Sequence, residues 1–324
     1  MRSVGAARTR VEARLHPLSL RKAYGERVLH FMILPGLAAT IIFNYLPLYG
    51  LVTAFKNYSV FKGIWDSPWA RNNGLEHFVD FFKSAQVWQV LRNTVALAFL
   101  SLIFVQFPPV AFAMLLNEIR NRLFKRFTQT VSYLPHFVSW VVLGGIMFML
   151  FLPTRSAPVN RILLALNIAK KPTDIMNRAG SIWAVFVVSE LWKGIGWHSI
   201  IYLAVIASID PNLFEAIEID GGGRFAKMLH ITWPSLKSTF IILFILKCGR
   251  IMSAAGFFDQ SYVLGTASNR PMSQVLDVYV LRIGLEQGRY SFAAAVGLLQ
   301  QSVNVLLLVA ANWLSRKVSG KGLY

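Results

Sequence analysis

The sequence predicts an all-α polytopic membrane protein, built as a six-helix transmembrane bundle, and three observations support this fold class. Hydrophobic residues make up 55% of the 324 residues and charged residues only 15%, against about 25% charged in an average soluble domain. The apolar residues occur in long blocks instead of scattered core positions. Six of these blocks reach the length of about 20 residues that a helix needs to cross the hydrocarbon core.

The six predicted spans follow one another with short connections. They are 28–55, 90–117, 127–152, 181–209, 238–258 and 291–314. The first three contain Pro35, Pro47, Pro108, Pro109 and Pro135. Membrane helices tolerate proline when neighbouring helices satisfy the freed carbonyl groups. We therefore expect kinked helices packed into one membrane domain, residues 28–314, without a separate outer domain.

The distribution of basic residues predicts that both termini lie in the cytoplasm. Seven Lys or Arg occur in the tail 1–27, four occur in the nine-residue connection 118–126, and three occur in the tail 315–324. Cytoplasmic connections of membrane proteins are enriched in Lys and Arg. An even number of spans also returns the chain to the side on which it began.

Composition and short motifs exclude several classes of function. The net charge of +18 comes from basic residues that flank apolar segments, where they set topology and contact lipid headgroups rather than nucleic acid. The single cysteine, Cys248, lies in an apolar block, so no disulfide framework or CxxC site is possible. The sequence contains neither HExxH nor GxxxxGK[ST]. We expect no catalytic residue, metal or cofactor on this chain.

A polar segment, residues 210–237, joins the fourth and fifth spans on the predicted cytoplasmic side. Asp210 suits the cap of a helix and Pro211 its first position. The glycines 221–223 end this helix, and Pro234 predicts a bend before the fifth span. The segment is therefore predicted to form two short helices at an angle.

The second of these short helices is amphipathic, and two interpretations of the segment are open. Phe225, Met228 and Leu229 have the i, i+3, i+4 spacing of one helix face. The segment is either a connector lying on the lipid surface or an element that docks on another protein. The glycine corner favours docking, because it makes a compact knob instead of a flat interfacial helix.

The same segment resembles a known signature. The order Glu215-Ala216, Asp220-Gly221, Ile231 and Pro234 is similar to the signature of permease subunits in bacterial binding-protein-dependent ABC importers. The departures are Ile217, Gly222 and Trp233, where the signature has alanine, alanine and leucine. Most of the chain resembles the carbohydrate-type permeases of the lipoprotein-associated subgroup, including those of importers for alginate oligosaccharides. The stretches that carry this resemblance include "LPGLAATIIFNYLPLYGLVTAFKNYSVFKGIWDSPW" and "SELWKGIGWHSIIYLAVIASIDPNLFEAIEIDG".

The resemblance implies that residues 210–237 form a coupling-helix pair seated in a cleft of an ATPase subunit. Glu215 would make polar contacts with the ATPase, Gly221 would supply the corner, and an apolar face would anchor the pair. The implied coupling residues are Glu215, Ala216, Asp220, Gly221, Phe225, Met228, Leu229, Ile231 and Pro234.

The resemblance also implies partners and a location. The chain would lie in the bacterial inner membrane and form a heterodimer with a second permease subunit. Two ATPase subunits would bind ATP and Mg and hydrolyse the nucleotide, and an extracytoplasmic solute-binding protein would deliver a saccharide. The outer segments hold more basic than acidic residues, which favours an acidic oligosaccharide such as alginate.

Charged and aromatic residues within the spans are candidates for the translocation path. Glu190 and Lys193 have i, i+3 spacing, so they either pair with each other or line the path. Lys247 and Arg250 have no acidic neighbour in sequence, so they either line the path, contact a partner chain or extend to the membrane surface. The aromatic candidates are Trp192, Trp197 and Tyr202, which either stack on sugar rings or pack between helices.

Two other classes of function remain open at this stage. An ion-coupled secondary transporter would need inverted repeats and intramembrane acids, whereas the predicted spans contain one acid, Glu190, and no evident repeat. A membrane scaffold without transport activity is the third class.

Overall fold

The computed structural model describes residues 27–178 and 180–319, so most of the predicted N-terminal tail and residues 320–324 lie outside the described part. The described residues contain helices and two isolated bridges, Lys56↔Trp69 and Ser59↔Gly63, but no strand. The predicted all-α class is confirmed. The chain divides into two compact units between Val52 and Thr53.

The helices vary in length from four to 30 residues. The first unit holds Arg27–Thr40 and the π-turn Ile41–Tyr45, and the 3₁₀ helix Leu46–Phe55 runs across the division. The second unit holds the α-helices Gly63–Asp66, Glu76–Lys83, Ala85–Phe104, Pro108–Asn117, Arg122–Tyr133, Trp140–Leu150, Pro158–Ala165, Ile182–Ala207, Pro211–Ile219, Arg224–Lys227, Trp233–Cys248, Phe258–Leu264, Arg270–Ser273, Leu276–Leu281 and Tyr290–Ser319. Short 3₁₀ or π segments occupy Leu134–Phe137, Met228–Thr232, Ile251–Gly256 and Arg282–Glu286.

The apolar helices are long enough for six membrane crossings. Four helical stretches qualify without a break, namely Phe31–Phe55, Ala85–Asn117, Arg224–Cys248 and Tyr290–Lys317. Two bent pairs also qualify: Arg122–Phe137 with Trp140–Leu150, bent by 97°, and Ile182–Ala207 with Pro211–Ile219, bent by 73°. Counting each pair once gives the predicted six. Pro135 lies in the 3₁₀ segment Leu134–Phe137, just before the first bend.

The helix that carries the fifth predicted span, 238–258, has different bounds from that span. The helix begins at Arg224, because the amphipathic residues 224–237 continue directly into the apolar stretch. It ends at Cys248, where Gly249 forms the C-cap, and the chain continues into a 3₁₀ segment in which Ala254, Ala255 and Gly256 have φ angles of 46°, 49° and 108°.

Pro234 does not produce the predicted bend. Its ring cannot donate a backbone hydrogen bond and would clash with the carbonyl one turn earlier in a regular α-helix. The preceding turn, Met228–Thr232, is a wider π-turn in which the Trp233 N–H bonds to the Met228 carbonyl. This wider turn accommodates the proline within a continuous helix.

Helix Ile182–Ala207 organises the second unit. It packs against Pro108–Asn117, Arg122–Tyr133 and Trp233–Cys248. One buried cluster at these contacts includes Val110, Tyr202 and Leu236. The fourth predicted span therefore contacts several others and fixes the positions of the polar side chains on its own faces.

The Gly196→Ala substitution is expected to destabilise the fold, because Gly196 is the point of closest approach between two helices. A Cβ atom at Gly196 would overlap the backbone carbonyl of Ser132 on helix Arg122–Tyr133. Overpacking of this kind costs about 1–3 kcal/mol, so the thermal unfolding midpoint in detergent should fall. Gly145→Ala is the matched control, since a Cβ there has no atom within 4 Å. Equal midpoints for both variants would contradict the close approach.

Candidate functional site

A cavity of about 470 Å³ lies between the fourth and fifth predicted spans. Helix Ile182–Ala207 forms one wall and helix Trp233–Cys248 with the following turn forms another. Five of the seven sequence-predicted path residues line this cavity: Glu190, Trp197, Tyr202, Lys247 and Arg250. The other two, Trp192 and Lys193, do not line it.

Helical periodicity explains which residues face the cavity. On the first wall the lining residues are Glu190, Trp197, His198, Ile201 and Tyr202, which have i, i+7, i+8, i+11 and i+12 spacing. On the second wall they are Leu243, Leu246, Lys247 and Arg250, at i, i+3, i+4 and i+7. Both sets follow one face of a 3.6-residue helix.

Glu190 and Lys193 do not form the ion pair that was one of the two predicted outcomes. The Glu190 carboxylate instead accepts a hydrogen bond from the Gln260 side-chain amide at 2.5 Å. The Lys193 ammonium donates to the His136 carbonyl at 2.5 Å and lies 5.6 Å from the centre of the Trp140 ring. Neighbouring segments thus supply a separate partner for each charge, and only Glu190 reaches the cavity.

Lys247 and Arg250 place two positive charges in the cavity wall. The Lys247 ammonium donates only a long hydrogen bond, 3.4 Å, to the Ser101 carbonyl. Neither side chain has a carboxylate within 4.0 Å in the part of the chain that the structure describes. A charge within a membrane span costs about 2.5–3.5 kcal/mol on insertion scales. Two such cations beside one acid make the cavity suitable for an anionic ligand.

The three aromatic candidates differ in exposure and in whether their rings line the cavity. Trp197 lines the cavity, but the His136 ring stacks on it at 4.2 Å between centroids. Tyr202 is 1% exposed and packs within a buried cluster. Trp192 is 52% exposed and lines a separate apolar groove with Leu143 and Val188. Among the three, Trp197 has the geometry for contact with a ligand in the cavity.

Sequence reasoning missed His198 and Gln260. His198 lies on the same helix face as Glu190 and lines the cavity, and the helical spacing of the two residues could have indicated this. Gln260 is fully buried and holds Glu190. No sequence signal connects Gln260 with Glu190. Gln260 lies in the short helix Phe258–Leu264, and the turn at 254–256 places that helix beside Glu190.

The first helix of the coupling segment is capped as predicted. The Asp210 side chain accepts a hydrogen bond from the Asn212 N–H at 3.0 Å, and Pro211 occupies the first helical position. The helix ends at Ile219, and Gly221 follows with a φ of 77°. That left-handed conformation favours glycine, which explains the corner.

Two ionic contacts lie at the corner of the coupling segment. The Lys227 ammonium pairs with the Glu218 carboxylate across the turn and lowers the pKa of that carboxyl. The Arg224 guanidinium lies 3.9 Å from Glu118, in the basic connection after the second span. The 73° angle between helices Ile182–Ala207 and Pro211–Ile219 makes the segment project from the end of the fourth span.

The predicted coupling residues divide into exposed and packed groups. The exposed side chains include Phe225 at 87% and Leu229 at 61%, and Glu215 is also exposed. Met228 is half-buried, and Ile231 is 7% exposed. Among the predicted coupling residues, Phe225 and Leu229 therefore carry the exposed apolar surface, while Ile231 packs within the chain.

The chain belongs to the family of binding-protein-dependent transport system inner membrane components, whose model matches residues 107–320. Protein LplB of Bacillus subtilis (strain 168) is 37% identical over 299 residues, which is 92% of each chain. The polygalacturonan/rhamnogalacturonan transport system permease protein YteP of the same organism is 38% identical over 308 residues, 94% of this chain and 92% of that protein. The family consists of transport permeases of the inner membrane rather than enzymes.

Solved structures have the same fold. The chain is 30% identical, with a TM-score of 0.83, to a chain in the crystal structure of a bacterial ABC transporter involved in the import of the acidic polysaccharide alginate. That match covers 93% of this chain and 99% of the other. The same identity and TM-score relate it to the alginate transporter in complex with an alginate pentasaccharide-bound periplasmic protein. The resemblance to carbohydrate-type ABC permeases that the sequence indicated is confirmed.

Proposed function

We propose that this chain is one of two permease subunits of an importer that carries an acidic oligosaccharide inward across the bacterial cytoplasmic membrane. The observation that carries the proposal is the cavity between the fourth and fifth spans, with Lys247 and Arg250 in its wall. Sugar carboxylates would accept hydrogen bonds from these cations, and the Trp197 ring would contact a sugar face.

The relatives support the saccharide part of this proposal. YteP is named for transport of polygalacturonan and rhamnogalacturonan, and the structural neighbour for import of the acidic polysaccharide alginate. The periplasmic protein in the second alginate structure supports a solute-binding protein as a partner on the outer face. We propose a second permease subunit because one bundle lines only one side of a path. A second bundle of similar fold would enclose the other side.

The energy source is proposed to be ATP hydrolysis on two partner subunits. The exposed Glu215, Phe225 and Leu229 on the coupling segment suit a protein-docking surface. In this arrangement the segment and both termini lie in the cytoplasm. Closure of the ATPases would move the coupling segment, and its continuity with helix Trp233–Cys248 would transmit that motion to the cavity wall.

Uptake into proteoliposomes tests the proposal. The complex is purified through a tag on this chain and reconstituted with ATP inside and the solute-binding protein outside. We expect ATP-dependent uptake of a labelled galacturonate trisaccharide, with at least about tenfold preference over a neutral galactose trisaccharide, equivalent to about 1.4 kcal/mol. Counterflow in vesicles without ATP would indicate a secondary carrier, and preference for the neutral sugar would refute an acidic substrate.

A further inference from the structure

A second, smaller pocket lies at the other end of the bundle from the coupling segment in the proposed orientation. It has a volume of about 200 Å³ and forms where the segment after the first span meets the start of the last helix. Its lining includes Asn57, Tyr58, His77, Arg289 and Tyr290. It shares no lining residue with the 470 Å³ cavity, so it is a separate site.

The pocket combines one cation with two aromatic rings. Tyr58 and Tyr290 lie 6.0 Å apart between ring centroids, with their planes at 79°. The Arg289 guanidinium lies 4.5 Å from the centre of the Phe292 ring, which is buried and belongs to the same lining. In the described part of the chain Arg289 has no carboxylate within 4.0 Å. The guanidinium N–H groups of Arg289 are therefore available to donate hydrogen bonds to an anion.

Hydrogen bonds hold the pocket in shape without a ligand. The Tyr58 N–H donates to the Ser291 hydroxyl at 2.8 Å, which ties the segment after the first span to the last helix. The Asn57 N–H donates to the Pro68 carbonyl at 2.8 Å, and His77 lies 3.1 Å from the Lys56 carbonyl. A pocket whose walls are already fixed loses little conformational entropy when a ligand binds.

Glu76, an acid beside the lining residue Asn57, is already engaged. The Glu76 carboxylate accepts a hydrogen bond from the Arg71 N–H at 2.9 Å and lies 3.5 Å from the Asn57 amide. It is not part of the lining. Arg289 is thus the charge that a ligand in the pocket would meet.

We propose that this pocket binds one carboxylate-bearing sugar ring of the oligosaccharide before it enters the larger cavity. Arginine binds carboxylates through two parallel hydrogen bonds, and tyrosine rings pack against sugar faces while their hydroxyls bond to sugar hydroxyls. The volume, below the 300–1,000 Å³ of ordinary ligand sites, suits one ring and not a chain. The inference rests on the proposed function, because it assigns an additional contact for the same class of substrate.

The test compares two arginines on the same predicted face. Arg289→Gln removes the pocket's cation, Arg289→Lys keeps a charge but loses the planar fork, and Arg71→Gln removes a cation that lies outside the lining. Each complex is reconstituted with ATP and the solute-binding protein, and uptake of the galacturonate trisaccharide is measured. We expect the KM of Arg289→Gln to rise about tenfold with the maximal rate within twofold of wild type. The KM of Arg289→Lys should lie between the values of wild type and Arg289→Gln. The KM of Arg71→Gln should equal that of wild type.

Several results would overturn the inference while leaving the proposed function intact. An unchanged KM for Arg289→Gln in a complex whose wild type transports the sugar is one. An equal rise for Arg71→Gln would show a general surface-charge effect. Weaker binding of the sugar-free solute-binding protein to Arg289→Gln would show that the pocket receives an acidic side chain of that protein. A wild-type complex that carries no acidic sugar would refute the proposed function itself, and the inference with it.

Discussion

Charge reversal at Glu215 is expected to abolish association with the ATPase subunits while leaving the membrane fold intact. Glu215 is exposed, and within the described residues its side chain makes no hydrogen bond or ion pair. Its replacement by Lys should therefore not disturb the chain. At a docked interface the reversed charge would meet groups arranged for a carboxylate, and such a mismatch costs several kcal/mol. Pull-down of the ATPase by detergent-solubilised permease measures the effect.

The control for Glu215→Lys is Asp66→Lys, the same charge reversal on an exposed residue in a predicted outer segment. It should retain the ATPase at the wild-type level. Glu215→Gln, which keeps the shape and removes the charge, should retain part of the association. Undiminished pull-down by Glu215→Lys would mean that the role carried over from the family signature does not apply to this chain.

Local chemistry explains why the coupling segment was largely predictable from sequence. A cap at Asp210, a proline at the first helical position and a glycine at Gly221 each favour one backbone conformation, and all three occur where expected. Pro234 was misjudged because its effect depends on the turn before it. A regular turn there would kink the helix, but a π-turn accommodates the ring, and nothing in the residue types distinguishes these two turns.

Non-local packing explains why the cavity was only partly predictable. Glu190 and Lys193 have the spacing of an ion pair, yet Gln260 and the His136 carbonyl supply their partners from distant parts of the chain. The turn after the fifth helix depends on left-handed backbone at Ala254 and Ala255, a conformation that alanine rarely adopts. Hydropathy does not report such a turn, because Ala254 and Ala255 are themselves apolar.

Reversing the two cavity cations is expected to abolish uptake of acidic sugar without disassembling the complex. Lys247 and Arg250 make no ion pair within 4.0 Å among the described residues, so reversing them breaks no close contact with an internal acid. Each charge-assisted hydrogen bond contributes about 1.5–3 kcal/mol. Losing both weakens binding by a factor on the order of 10² to 10⁴. Repulsion between the introduced carboxylates and those of the sugar adds to this loss in the Lys247→Glu, Arg250→Glu double variant.

The milder Lys247→Gln, Arg250→Gln variant separates lost attraction from added repulsion. It removes both charges without introducing an acid beside Glu190, and its uptake of acidic sugar should fall while basal ATP hydrolysis persists. Lys83→Gln is the control, because Lys83 is exposed, lies outside the coupling segment and does not line the cavity. If the glutamine pair lowered uptake of neutral and acidic trisaccharides equally, the cations would stabilise the bundle and would not select the substrate. A selective loss of the acidic sugar would assign them to its recognition, since the neutral sugar passes the same walls without meeting a complementary charge.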